Sequence, residues 1–234
     1  MKTTDLADAS RPFVNETGIE AYPYFLRGAG FLATFEDVGL LITAKHAMKN
    51  LDPAQILVFP QGSRTAIPFL SVVQPTDDES FADLAFFPFW PRAISPDAPE
   101  WDKKAVPLSQ VIVARGRAAF KHGTRLRIAG CPAERRGIPP DTTTIAATIV
   151  GIELRYDARD PDREWIHRAI IVDQAGLSSL AGISGSPVYW LEPPDFGLSG
   201  VVIEASNGIC HFIDSAVVFS AARKIRDQLP ATAP

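Results

Sequence analysis

The sequence predicts an all-β fold of two six-stranded antiparallel β-barrels with a C-terminal α-helix, and three observations lead there. Short apolar runs bounded by turn residues recur, 20 prolines and 16 glycines are spread over the 234 residues, and a proline-rich charged stretch divides the chain nearly in half. Each half holds about six strand-like runs, and closing each set into a barrel removes the edges that short strands otherwise expose. The expected layout is an N-terminal extension over 1–19, a first barrel over 20–90 and a connector over 91–110. A second barrel with the helix then fills 111–229, followed by a tail over 230–234.

In the first half the expected strands are Tyr24–Leu26, Gly30–Phe35, Val38–Thr43, Gln55–Pro60, Ala66–Val73 and Leu84–Phe89, each an apolar run next to turn-forming residues. A short helical turn can follow Thr43, through Ala47 to Lys49. From Pro91 to Pro107, prolines at 91, 96, 99 and 107 mix with Asp97, Glu100, Asp102, Lys103 and Lys104, so this connector is expected to be solvated and irregular. The second half offers Arg125–Ala129, Thr143–Leu154, Ala169–Asp173, Pro187–Trp190 and Gly200–Ala205. Helical period is convincing only in Ser220–Leu229, where apolar and basic faces alternate until Pro230 stops the helix.

Composition removes several function classes. With 46% apolar and 21% charged residues the chain has ample core material, which excludes a disordered, collagen-like or coiled-coil reading. The charge balance of 23 basic against 27 acidic residues gives −4, and no basic cluster exceeds Arg135-Arg136, so nucleic acid is not an expected partner. Met1 to Asp8 lacks the apolar segment of a secretory signal. The long uncharged stretch Gln174 to Leu191 is broken by three glycines, four serines and Pro187, a polar density that hydrocarbon rejects. No membrane association and a cytoplasmic location are therefore expected. Cys131 and Cys210 are too few for a disulfide framework and read as small buried residues, with a bridge between them left open. No cofactor or metal is expected. Gly28-Ala29-Gly30 lacks the third glycine of a dinucleotide loop, and the histidines and cysteines are scattered.

Three local features could carry chemistry. In Gly182-Ile183-Ser184-Gly185-Ser186-Pro187, glycines on both sides of a serine allow a tight turn that lifts the hydroxyl clear and lets successive N–H groups converge on an anion. Upstream, Gly39 to Ala44 is an apolar strand with His46 just beyond it, and a serine nucleophile needs such a base near neutral pH. Asp83 opens the very apolar run Leu84–Phe87, and a carboxylate there could satisfy an imidazole N–H while fixing its tautomer. Taken singly, each has an ordinary reading: a Gly/Ser loop, a surface histidine, a strand-entry cap. His122 and His167, in charged loop-like surroundings, are expected to face solvent.

Together, in the order His46, Asp83, Ser184, these features resemble the chymotrypsin/trypsin-like serine peptidases, and the disulfide-poor bacterial members more than the secreted animal enzymes. Thr43-Ala44-Lys45-His46 is similar to the family's T-A-x-H motif, Asp83-Leu84-Ala85 to its D-L-A motif, and Gly182 to Pro187 to its G-x-S-G-x-P motif. Gly28-Ala29-Gly30-Phe31 and Gly130-Cys131-Pro132 resemble its G-x-G-F strand and its G-x-P turn. The resemblance covers most of residues 20 to 229. It implies Ser184 as nucleophile, His46 as general base and acid, Asp83 as its orienting group, and the N–H groups of Gly182 and Ser184 as an oxyanion hole. It further implies a cofactor-independent endopeptidase acting on peptide or protein substrates through an acyl-enzyme. By offset from Ser184, the substrate pocket would involve Ser178 and Ser179 at its base, Ile203, Glu204 and Ala205 along its side, and His211. No carboxylate falls at that base, so a preference for Arg or Lys is not implied. Ile183 stands where zymogen-activated members carry an aspartate, so the oxyanion loop is expected to be held by buried packing or by a partner protein. The competing reading is a peptidase-like module without turnover that binds or regulates.

Overall fold

The apolar positions of the first half run almost without interruption because both faces of its sheet are covered. A computed structural model describes residues 8–19, 24–48, 51–60, 65–74, 83–91, 94, 101–137, 145–193 and 195–230. Strands β1 (Ser10–Glu16), β2 (Tyr24–Phe35), β3 (Val38–Ala44), β4 (Ile56–Leu57) and β5 (Leu84–Phe89) form a curled sheet in the order β4-β1-β2-β3-β5, with β6 (Val106–Pro107) parallel to β2. Successive side chains on a strand point to opposite faces. Leu32, Leu41, Ala85, Phe87 and Phe89 therefore fill the concave interior with Phe13, Met48, Ile56 and Val58. Their neighbours Phe31, Ala33, Leu40, Ile42, Leu84 and Phe86 face the second half.

The second half is a closed barrel, β10-β11-β14-β13-β12-β7. Its strands are β7 (Arg125–Gly130), β10 (Val150–Arg159), β11 (Ile166–Asp173), β12 (Pro187–Glu192), β13 (Asp195–Ser206) and β14 (Ile209–Asp214). β8 (Arg136–Gly137) and β9 (Ala146–Ala147) form a small ribbon beside it. Leu126, Ile128, Ile152, Leu154, Val188, Val202 and Phe212 pack inside. Tyr189, Leu198, Val201 and Ile213 turn outward onto the first sheet, so one apolar seam joins the halves.

The fold class expected from sequence is the one observed, with local differences. The first sheet curls without closing among the described residues. Pro88, in β5, has no N–H for a further ladder, and the expected strand Ala66–Val73 contributes one bond from Leu70 N–H to Pro88 O and one reciprocal pair between Val73 and Phe86. The segment expected to be solvated and irregular enters the core in part. It holds α1 (Trp101–Lys104) and β6, with Ala105, Val106 and Leu108 buried. Residues 92–93 and 95–100 of that segment lie outside the described residues. Helix α2 (Gln110–Ala118), absent from the sequence reading, is capped by Ser109, whose Oγ accepts from Ile112 N–H at 3.3 Å. Its Gly116 touches the Leu198 and Ser199 backbone so closely that any Cβ would collide.

Helix α3 (Ser215–Gln228) begins earlier than its apolar period suggested because Asp214 caps it, Oδ1 accepting from Ala216 N–H at 2.8 Å. The other oxygen, Oδ2, faces Arg117 Nε of α2 at 3.2 Å and His167 Nε2 at 3.4 Å, and His167 Nδ1 meets Tyr156 OH at 3.1 Å. His167 thus does not face solvent. It is fully buried, with the Phe120 ring 4.2 Å away, because the β11 register turns it inward between α2 and β14. One buried carboxylate ties α2, α3 and the barrel together. Asp214→Ala should destabilise the chain by about 2–4 kcal/mol, the cost of a lost cap plus unpaired buried donors, and Asp214→Asn by less. Urea unfolding of the three proteins checks this order.

Candidate active site

The exit of β3 and the entry of β5 are neighbours in the ladder, Ala44 opposite Leu84, and this register alone brings His46 to Asp83. His46 sits on the 3-10 turn Lys45–Met48. Three contacts hold it there: Lys45 N–H donates to Asp83 O at 2.7 Å, His46 N–H to Asp83 Oδ1 at 3.0 Å, and the ring Nδ1 pairs with Oδ2 at 2.7 Å. One carboxylate therefore fixes both backbone and ring, leaving Nε2 as the basic nitrogen. The imidazole pKa is raised, first by the hydrogen bond to Asp83, against the opposing effect of partial burial, and then by the charges of Asp83 and Glu204.

Ser184 lies on a loop shaped by two glycines of positive φ, Gly182 at 83° and Gly185 at 89°. Inside the loop, Ile183 N–H donates to Leu180 O, Ser186 N–H to Ile183 O, and Gly185 N–H to Val202 O. Ile183 is 1% exposed and packs in the barrel core, as expected for a loop held by apolar burial. Gly185 is needed sterically as well. A Cβ there would strike Ala29 O and Thr43 Oγ1, so the serine loop is seated directly against the strands that lead to His46. Ser184 Oγ donates to Ile203 O at 3.1 Å. That carbonyl is offered by a bulge, since the β13–β14 pairing skips from Val202 to Glu204 and leaves Ile203 out of the ladder.

The remaining pocket candidates are distributed unevenly. Glu204 is exposed, close enough for its charge to act on His46, and lies opposite half-buried His211 in the ladder, with Ala205 half-buried next to it. Ser178 and Ser179 are exposed and are engaged by a carboxylate that spacing did not reveal. Glu134 accepts from Ser178 Oγ at 2.5 Å, from Ser178 N–H at 3.1 Å and from Ser179 N–H at 3.2 Å, and these bonds, above all the hydroxyl's, hold its pKa low. Arg136, on the same loop, lies against Gly182 and donates from Nη2 to Arg27 O at 3.3 Å. Glu134 is 44 residues from Ser178 in the chain, so no local pattern announces either contact. Cys131 and Cys210 are both buried and unbridged. Among the described residues no three His, Cys, Asp or Glu side chains gather as metal ligands, and no helix is long and apolar enough to cross a membrane.

Two packed, largely antiparallel sheets with a closing helix are the architecture of the chymotrypsin-like serine proteases, and this chain has that fold. Similar solved structures include human heparin binding protein, at 15% identity, TM-score 0.64, and coverage of 98% of this chain and 96% of that one. Another is the inactive form of a serine-to-alanine mutant of Rv3671c from M. tuberculosis H37Rv, at 14% identity, TM-score 0.55, and coverage of 98% and 92%. No protein-family model and no curated protein matches the sequence.

The electrostatics of His46 can be tested directly. Asp83 and Glu204 both favour the imidazolium, so the ring should titrate above the usual histidine range, lower in Glu204→Gln and lower again in Asp83→Asn. An NMR titration of the His46 ring proton checks the ranking. An unchanged midpoint in Glu204→Gln would show that this carboxylate does not act on the site.

Proposed function

We propose that the chain is a serine endopeptidase, cleaving peptide bonds of peptide or protein substrates without a cofactor. The observation that carries this reading is the locked His46–Asp83 pair at the same seam as a serine presented between two left-handed glycines. In this reading Nε2 of His46 takes the Ser184 proton as Oγ attacks the scissile carbonyl, then returns it to the leaving amine. Asp83 holds the tautomer and stabilises the imidazolium. The N–H groups of Gly182 and Ser184 receive the developing oxyanion, and a preset donor of this kind contributes roughly 10²–10³-fold in rate. Ile203, Glu204 and Ala205 line the substrate side, with His211 behind them and Ser178 and Ser179 at the pocket base. The Glu134 carboxylate on those two serines adds negative charge there, which favours a basic side chain more than the sequence alone implied.

A second reading is favoured by one contact. Ser184 Oγ donates its one proton to the Ile203 carbonyl, so in this rotamer that proton is not offered to an imidazole. The heparin binding protein, similar in fold, is named for binding. In the enzymatic reading this contact is a resting rotamer, and catalytic hydrogen bonds commonly tighten only with substrate present.

A serine-directed fluorophosphonate separates the two. The intact chain should be labelled at Ser184 without prior cleavage, labelling should vanish in Ser184→Ala, and Asp83→Asn should slow it by about 10⁴-fold. A folded wild-type chain that never labels would establish the binding reading instead.

A further inference from the structure

We infer that the protein binds a small monovalent anion, of halide type, between Arg11 and Arg136 behind the oxyanion loop, and that this ion braces the loop. The site gathers buried donors with no hydrogen-bond partner among the described residues. Arg11 is 7% exposed, spends Nη1 on Ser10 O at 2.7 Å, and leaves Nε and Nη2 buried with no acceptor. Arg136 donates from Nη2 to Arg27 O, while its Nη1 is likewise buried and unpaired. The fully buried Ser186 hydroxyl is unpaired as well, and it lies against Gly130 at 3.4 Å from where a Cβ would be. The Ser186 hydroxyl lies against Gly130, and the charges of Arg11 and Arg136 both act on Cys131, so the groups carrying these four unsatisfied atoms converge on the turn Gly130-Cys131. Ser10 Oγ ties β1 to the same turn through Ala129 O at 2.5 Å.

Charge decides the class of ligand. Arg11 and Arg136 bring two positive charges, and both act on the Cys131 thiol, which burial keeps in its neutral form. Among the described residues, Asp8 is the carboxylate whose charge acts on Arg11. Burial lowers the Arg11 pKa to about 10, so its charge is held at a cost in this site. A water molecule would satisfy donors but leave one excess positive charge in a seam of low polarity. A monoanion satisfies the donors and neutralises that charge. A dianion would over-compensate. The ion's effect on the loop follows from position: Arg136 lies on Gly182, and Ile183 brings the loop no charge of its own, so fixing the guanidinium restrains the Gly182 N–H.

The coupling to catalysis rests on the peptidase reading, whereas the binding itself does not, and the test separates them. Chloride is titrated into the full chain at constant ionic strength, with gluconate as replacement and sulfate as comparison, while Tm and fluorophosphonate labelling are followed. Crystals grown in bromide locate the ion by anomalous scattering. Expected are a saturable rise in Tm of about 3 °C, labelling about fivefold faster at saturation, and a bromide peak between the two guanidinium groups. Arg11→Met and Arg136→Met, each verified as folded by circular dichroism, should lose the chloride response. Two variants are used because the proposal is then tested even where one fails to fold. Absence of both the peak and the Tm shift, a response kept in the Met variants, or equal action by sulfate would overturn the site. A bromide peak with halide-independent labelling would overturn the bracing role. A peak in a chain that never labels would leave the anion site standing and remove the peptidase reading.

Discussion

The whole molecule depends on one apolar seam. Phe31, Leu40, Ile42 and Phe86 from the first sheet pack on Tyr189, Leu198, Val201 and Ile213 of the barrel, and the exit of β3 emerges at the edge of that contact. Burial on both faces leaves the β2–β3–β5 register no freedom, because a slip of one residue would turn every interior side chain outward. His46 and Asp83 inherit their placement from that register. The seam also sets how closely the serine loop can approach, and Gly185 marks the limit, since nothing larger fits against Ala29 and Thr43.

Around this rigid joint the polar groups divide into two kinds. Asp83 and Asp214 are each a single carboxylate shared by several donors, one organising a histidine at the surface of the cleft, the other tying helices to the barrel in the interior. The loop Cys131–Arg136 does the opposite. It reaches from the end of β7 toward both the Ser178–Ser179 segment and Gly182, so charged side chains of one short stretch touch both segments at once. Packing supplies the geometry of the site, while the charge felt by His46 comes from Asp83 and Glu204.

The candidate triad was legible because its residues sit in local patterns that physical chemistry constrains strongly: a histidine just past an apolar strand, an aspartate at a strand entry, a serine between glycines. Strand β14 and helix α2 were not. Ile209–Asp214 is short and carries His211 and Asp214, while α2 exposes Val111 and buries little beyond Val113 and Gly116, so neither shows a clean period. His167 was misjudged for a related reason. Charged neighbours Arg163, Glu164 and Arg168 suggest solvent, but the first two lie in the turn before β11, and within the strand Arg168 is exposed while the His167 imidazole is buried.

By itself the sequence determined the β character of the chain, its fold class and the final helix, because strand period, turn residues and glycine spacing are local properties. Only the tertiary structure decided that the first sheet curls without closing among the described residues, that Ala105, Val106 and Leu108 enter the core, and that Ser184 Oγ meets a bulged carbonyl at Ile203. It alone brought Glu134 to Ser178 and Arg11 and Arg136 to Cys131. Those contacts join residues distant in the chain through the shape of the seam, and no local pattern encodes the distance between them.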